Sequence, residues 1–403
     1  MEKEPVFHRR SILNFLYSIL MILFFFNNSY IIENISFKWE RLSYFIIIII
    51  FANIIFQRLD ISKIRIVLRD RYLYLMIGIS IWGLVSSYFS IQRVLSIKKT
   101  ISVFLVFTVF YLIPRYFFNS EERSNSLAFL TIPFNILMTI LGTVNIIAFL
   151  ELIDLKGHIE FWTMRATIYL NSNYYGLFIF ILLLMMNVYL LLDDRLQKCL
   201  KNHLFLKIYV IFSYAILVIN LVFSGSRTSV LGVAFVFIPL IYKFIKLALL
   251  SSIPVGYLVW SNKKELHIFG KVRRGGTSGR GKLWDHAISE IIPKHPILGV
   301  GSGAYRDYFE DLGNKSVHNA YLNLILTNGI VGFILWMTIL AFIFHSIFKL
   351  KNNRYIFIFI LLSFLAYGFF EIGLFGELGL QMSIFWTIIM LIENQIDRER
   401  LSI

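Results

Sequence analysis

The chain has 403 residues, 58% of them hydrophobic and 16% charged, and its 39 Lys and Arg outnumber 24 Asp and Glu for a net charge of +15. Soluble domains carry about 25% charged residues, so a water-soluble protein is excluded. Apolar runs long enough to cross about 30 Å of hydrocarbon recur along the whole length. In a membrane chain the basic excess points to cytoplasmic loops and anionic lipid-linked ligands rather than nucleic acid. The lone Cys199 excludes an internal disulfide.

The expected fold class is all-α, a polytopic membrane helix bundle forming one integral domain over residues 1–403. About twelve spans are predicted, near 11–30, 42–57, 72–89, 100–118, 127–150, 168–192, 204–223, 228–242, 244–260, 320–347, 355–371 and 376–393. The first follows basic residues, as a signal peptide does. No small-residue cleavage site follows FFFNNSYIIE, so it is read as an uncleaved span. Spans eight and nine are interrupted by Lys243, Lys246 and two prolines. A single broken span there would invert everything downstream. Loop charge distinguishes the two readings. With twelve spans and the N-terminus inside, the inner segments hold 20 Lys and Arg and the short outer loops hold 8. That asymmetry supports twelve spans with both termini cytoplasmic.

Residues 261–319 form the one large outer loop, too long for a simple connection. Within it LWDHAISEII, 283–292, has apolar residues at helical spacing. It is expected to be a short surface helix, lying either on the membrane or on the protein itself.

The topology gathers four polar features on one face: Arg165, followed by Asn171 and Asn173; Arg227 in SGSRTS; Arg280 in GGTSGRGKLW; and His318–Asn319 at the start of span ten. Arginine presents a rigid fork of donors that matches phosphate oxygens and stays charged. Arginines at the membrane boundary therefore suit a lipid diphosphate, and the Gly-Ser turn around Arg227 is expected to offer backbone N–H groups to an anion. Histidine exchanges a proton near neutral pH and suits a general base for a sugar hydroxyl, with Asn319 beside it as an orienting group. Each residue also has a plainer reading: outer arginines meet headgroups, a histidine at a helix start supports structure, and membrane asparagines bond neighbouring helices. Glu371 and Glu377 bracket the last outer turn and would bind a sugar, balance the arginines or cap a helix end. GVGSGAY, 299–305, lacks the preceding strand and the spacing of a dinucleotide loop and is read as tight turns. No Cys/His cluster suggests a metal, and no cofactor is expected.

The ordered set SGSRTS, SGRGKLWDHA with HPILGVGSGAY, and HNAYLNLILTNGIVG resembles the O-antigen ligase and O-antigen polymerase superfamily across about residues 165–335. The resemblance implies a metal-independent, inverting glycosyltransferase on the periplasmic face of the bacterial inner membrane. Its donor would be a glycan on undecaprenyl diphosphate, and its acceptor a lipid-linked repeat unit or lipid A–core. It implies that Arg227 and Arg280 bind the diphosphate, that His318 contacts the reacting groups, and that Arg165 is a further donor-binding arginine. The SGR…W…HPILGVG loop and the Ile-, Phe- and Asn-rich composition resemble polysaccharide polymerases slightly more than ligases. A transporter or flippase of a lipid-linked oligosaccharide is the alternative. It predicts mid-span charges and a repeat between halves, and the sequence has neither.

Overall fold

The computed structural model describes residues 39–58, 61–118, 131–147, 172–243, 280–313, 316–373, 375 and 380–401, with a few isolated positions before residue 24. The expected first and ninth spans, Arg165, Asn171 and Glu377 lie outside the described residues. The protein is all-helical, with no strand among the described residues. Helices occupy ten of the twelve expected segments. With the shorter α2, α7 and α10, which lie outside those segments, the helices are α1 (Trp39–Arg58), α2 (Ile61–Val67), α3 (Arg71–Phe89), α4 (Arg93–Phe117), α5 (Thr131–Ile147), α6 (Ser172–Leu192), α7 (Asp194–Asn202), α8 (Leu204–Ser224), α9 (Arg227–Lys243), α10 (Arg280–His286), α11 (Ala320–Lys349), α12 (Arg354–Gly368) and α13 (Leu380–Leu401). Five are long and apolar enough to cross a bilayer: α3, α4, α6 from Asn173, α8 and α11. The chain is a membrane protein on that ground.

The chain divides into two compact units, one holding α5 to α9 and the other α2 to α4, α10, α11, α13 and most of α12. In the first unit α6 is packed by α8 and α9, and its residues from Tyr175 to Met185 are almost wholly buried. In hydrocarbon, apolar area alone does not select helix partners, so short polar bonds take on that role. Asn220 of α8 donates to the Gly142 carbonyl (3.1 Å) and accepts from Tyr175 (2.7 Å) and Asn145 (2.8 Å). Asn135 of α5 likewise donates to Ser213 (2.7 Å) and accepts from Tyr209 (2.7 Å).

In the second unit α3 and α4 form a hairpin, α11 packs on α3, and α13 packs on α4 and α11. Trp386 of α13 is fully buried among Tyr72, Phe107, Tyr111 and Trp336. One end of this bundle is sealed by a polar cluster. Asp70 caps α3 by accepting from the Tyr72 and Leu73 N–H groups, and its other oxygen accepts from Tyr111 and Tyr116. Glu393 accepts from Arg71 (2.6 Å), Ser346 (2.6 Å) and Tyr72 (3.2 Å), and Arg71 also donates to Ser346. Arg115 lies 3.6 Å from Glu393 and 3.3 Å from Asp397.

The expected uninterrupted tenth span is broken. Gly329, within α11, has φ 63° and ψ −171°. A β-carbon there would sit 1.9 Å from the Ile297 carbonyl oxygen, so only glycine fits. The break frees carbonyls that cannot be left bare at membrane depth. Segment 296–301 supplies the partners: Val300 N–H donates to the Leu326 carbonyl (2.7 Å), Gly301 N–H to Thr327 (3.0 Å), and Ile330 N–H donates to the Pro296 carbonyl (2.9 Å). From α3, Ser86 donates to the Thr327 carbonyl and Trp82 to that of Asn328. GVGSGAY thus makes tight turns against the broken helix, where Gly301 (φ 86°) presses on Ser90 and Gly303 N–H donates to Ser96 (2.8 Å).

This docking gives the outer segment its own core: Leu283, Ala287, Ile291, Val300, Tyr305 and Phe309 close over Val317 and Leu326. The LWDHAISEII helix packs on the protein by its buried Leu283, Ala287 and Ile291. It runs from α10 through a π turn at Ala287–Ile291.

Candidate functional site

Arg280 opens α10, His318 stands two residues before α11, and Glu371 follows the end of α12. Two contacts bring these segments together, and a cap fixes the start of α11. The Trp284 indole N–H donates to the Val317 carbonyl (2.8 Å), fixing the residue before His318 to α10. The Trp284 ring meets Phe369 edge-on at 5.8 Å, which ties α10 to the end of α12. Asn319 is the N-cap of α11; its buried side chain accepts from the Tyr321 (3.0 Å) and Leu322 (2.9 Å) N–H groups. Those donors would otherwise be orphaned at the helix start. Asn319, expected beside the substrate, is therefore occupied as a cap.

His318 has φ 47°, in the left-handed region that few non-glycine residues adopt. That conformation, held between the Val317 anchor and the Asn319 cap, points the imidazole at Glu371. The Glu371 carboxylate spans two partners: Oε2 lies 3.1 Å from His318 Nδ1, and Oε1 lies 3.0 Å from Arg280 Nη2. The Arg280 guanidinium also lies 5.8 Å from the Phe370 ring centre. Side-chain exposure is 17% for Arg280, 13% for Glu371 and 33% for His318. The carboxylate is thus the sheltered member and the imidazole the one a substrate could reach. A guanidinium can bind oxyanions and an imidazole can move protons, so groups suited to anion binding and to proton transfer share one carboxylate.

Arg227 lies in the other unit. Gly225 ends α8 with φ 58°, and Arg227 opens α9 after Ser226. Ser224, Ser226 and Ser229 are buried around this turn. The expectation that the turn offers its N–H groups to an anion is corrected at three positions. Gly225 N–H donates to the Val222 carbonyl (3.0 Å), Ser226 N–H to Ser224 Oγ (3.2 Å) and Ser229 N–H to Ser226 Oγ (3.4 Å). The serines stabilise the turn itself, and the Arg227 side chain is partly exposed. Asn173 is a partly exposed residue of α6.

Sequence reasoning offered Glu371 three roles, and the structure places it against Arg280. Its pairing with His318 had no signal in the sequence, because the two residues are joined only by the fold. Nor did the break at Gly329 have one beyond the glycine itself.

Residues 212–337 match the family model described as O-antigen ligase. The matched stretch contains Arg227, Arg280 and His318, and it supports the superfamily resemblance carried by the sequence motifs. None of the curated proteins matches the chain.

Proposed function

From an O-antigen ligase domain at residues 212–337, we propose that this protein is a glycan transferase of surface polysaccharide assembly. It moves a saccharide from undecaprenyl diphosphate onto a saccharide hydroxyl at the periplasmic face of the bacterial inner membrane. The chain crosses that membrane twelve times, with both termini in the cytoplasm. One observation carries the reading: Arg280 and His318, distant in sequence, meet on the two oxygens of Glu371.

The chemistry asks little else of the protein. Diphosphate is a good leaving group, so the reaction needs cations where charge grows on the departing oxygen. Arg280 supplies one, and Arg227 and Arg165 keep the donor-binding roles that the resemblance implies. His318 takes the proton from the acceptor hydroxyl as that oxygen attacks the anomeric carbon from the face opposite the diphosphate. Inversion follows from this single displacement, and no step requires a metal or cofactor. Polymerase is preferred over ligase on the loop composition, which makes the acceptor another lipid-linked repeat unit.

The test is electrophoresis of surface polysaccharide from a strain lacking this gene. Lipid A–core bearing a single repeat unit is the expected result. Core without repeats, beside long polymer still on its lipid carrier, would make the protein a ligase. An unchanged ladder would reject the transfer reading and leave the transporter alternative.

A further inference from the structure

Glu371 is the shared partner of the two groups assigned above, and the geometry points to a switching role for it. We infer that the Glu371 carboxylate holds Arg280 until the donor diphosphate displaces it, and then acts on His318 without that competing cation. This inference rests on the transfer reading. The Arg280 contact is made through one nitrogen at 3.0 Å, not through the two-pronged fork that binds carboxylates most firmly. A diphosphate carries more charge and more acceptor oxygens than a carboxylate, so it competes well for that guanidinium. Exchange takes Arg280 off the carboxylate. Its negative charge then acts fully on the imidazole at 3.1 Å.

The effect on His318 follows from which nitrogen faces Glu371. When Nδ1 carries the proton it donates to Oε2, and the Nε2 lone pair is left for the acceptor. A carboxylate relieved of Arg280 favours that tautomer and stabilises the imidazolium formed on proton transfer. In the transfer step the acceptor hydroxyl gives its proton to Nε2 and its oxygen bonds to the anomeric carbon. The electron pair of the broken C–O bond leaves on the diphosphate. Donor binding therefore prepares the base, and an empty site holds it back. Glu371 acts through Arg280 and His318 and is a positioning residue.

Undecaprenyl diphosphate itself is the probe. Its binding to the purified full-length protein in detergent would be measured for wild type, Glu371→Gln and Glu371→Asp, beside the steady-state transfer rate. Glu371→Gln keeps an acceptor for the imidazole but removes the charge that occupies Arg280. It should bind the probe about fivefold more tightly while kcat falls at least tenfold, so the apparent KM for donor and kcat fall together. Glu371→Asp keeps the charge on a shorter arm that cannot span both partners, and it should fall between wild type and Glu371→Gln in kcat. Weaker or unchanged probe binding by Glu371→Gln, with wild type binding well, would overturn this inference and leave the transfer reading standing. Wild-type protein that does not distinguish undecaprenyl diphosphate from bulk anionic lipid would overturn both. If Glu371→Gln failed to fold, Glu371→Asp with unaltered kcat would by itself reject the role.

Discussion

The two ends of the second unit are built from the same residue types and put them to opposite use. At the sealed end, Glu393 is held by Arg71, Ser346 and Tyr72, with Arg115 beyond, and Asp70 is held by backbone N–H groups and two tyrosines. At the other end Glu371 faces Arg280 and His318, and the imidazole keeps a third of its surface exposed. A carboxylate of α13 saturated by groups from α3, α4 and α11 fastens helices. A carboxylate shared between two groups that have other uses can exchange partners. The two carboxylates are about equally buried, so it is the kind of group the fold brings to each, not burial or residue type, that distinguishes the two ends.

That contrast predicts effects of different kinds. His318→Ala should cost the largest factor, about 10²–10⁴ in turnover, while the protein stays inserted and still binds undecaprenyl diphosphate. Loss of donor affinity alone would remove the base role. Arg280→Ala should reduce transfer by about 10²–10³ and weaken donor binding as well; full activity would show that the open end is structural after all. At the sealed end the readout changes from rate to stability. Glu393→Ala takes the carboxylate from Arg71 and Arg115 and should destabilise the fold by about 3–5 kcal/mol. A lower thermal unfolding midpoint in detergent would report it, with probe binding preserved in the folded fraction. Gly329→Ala combines a positive φ with a clash against Ile297 and should cost about 1–3 kcal/mol through the backbone alone. It should also loosen the 280–313 segment, read as faster amide exchange there. Ser346→Ala removes one hydroxyl between Arg71 and Glu393 and should cost least, about 1 kcal/mol. Activity lost in proportion to Ser346→Ala or Glu393→Ala stability would mean the ends are not separable.

Much of this molecule was legible before any coordinates. Apolar runs marked helix positions because a membrane helix must be apolar over its length. HNAYLN placed a histidine at a helix start, and GVGSGAY was read as turns, since glycines without a strand have no other common use. Three things were not legible. LWDHAISEII is amphipathic whether its apolar face meets lipid or protein, and only the neighbouring Val317 and Leu326 decide for protein. TNGIVG reads as one more stretch of span because periodicity does not register a single residue's φ. Glu371 looked like a helix-end acid because its partners come from two other parts of the chain.

The sequence by itself determined the helical class, the membrane setting, the polar residues available for chemistry and the motifs that carry the family resemblance. Each is a local property: hydropathy over a window, residue type, short spacing. Only the tertiary structure decided that Asn319 caps while His318 points at Glu371, that the Ser226 turn uses its own N–H groups, and that a loop repairs the broken helix at Gly329. Those outcomes depend on which distant atoms arrive within about 3 Å to satisfy a buried donor or acceptor. Sequence spacing carries no record of that.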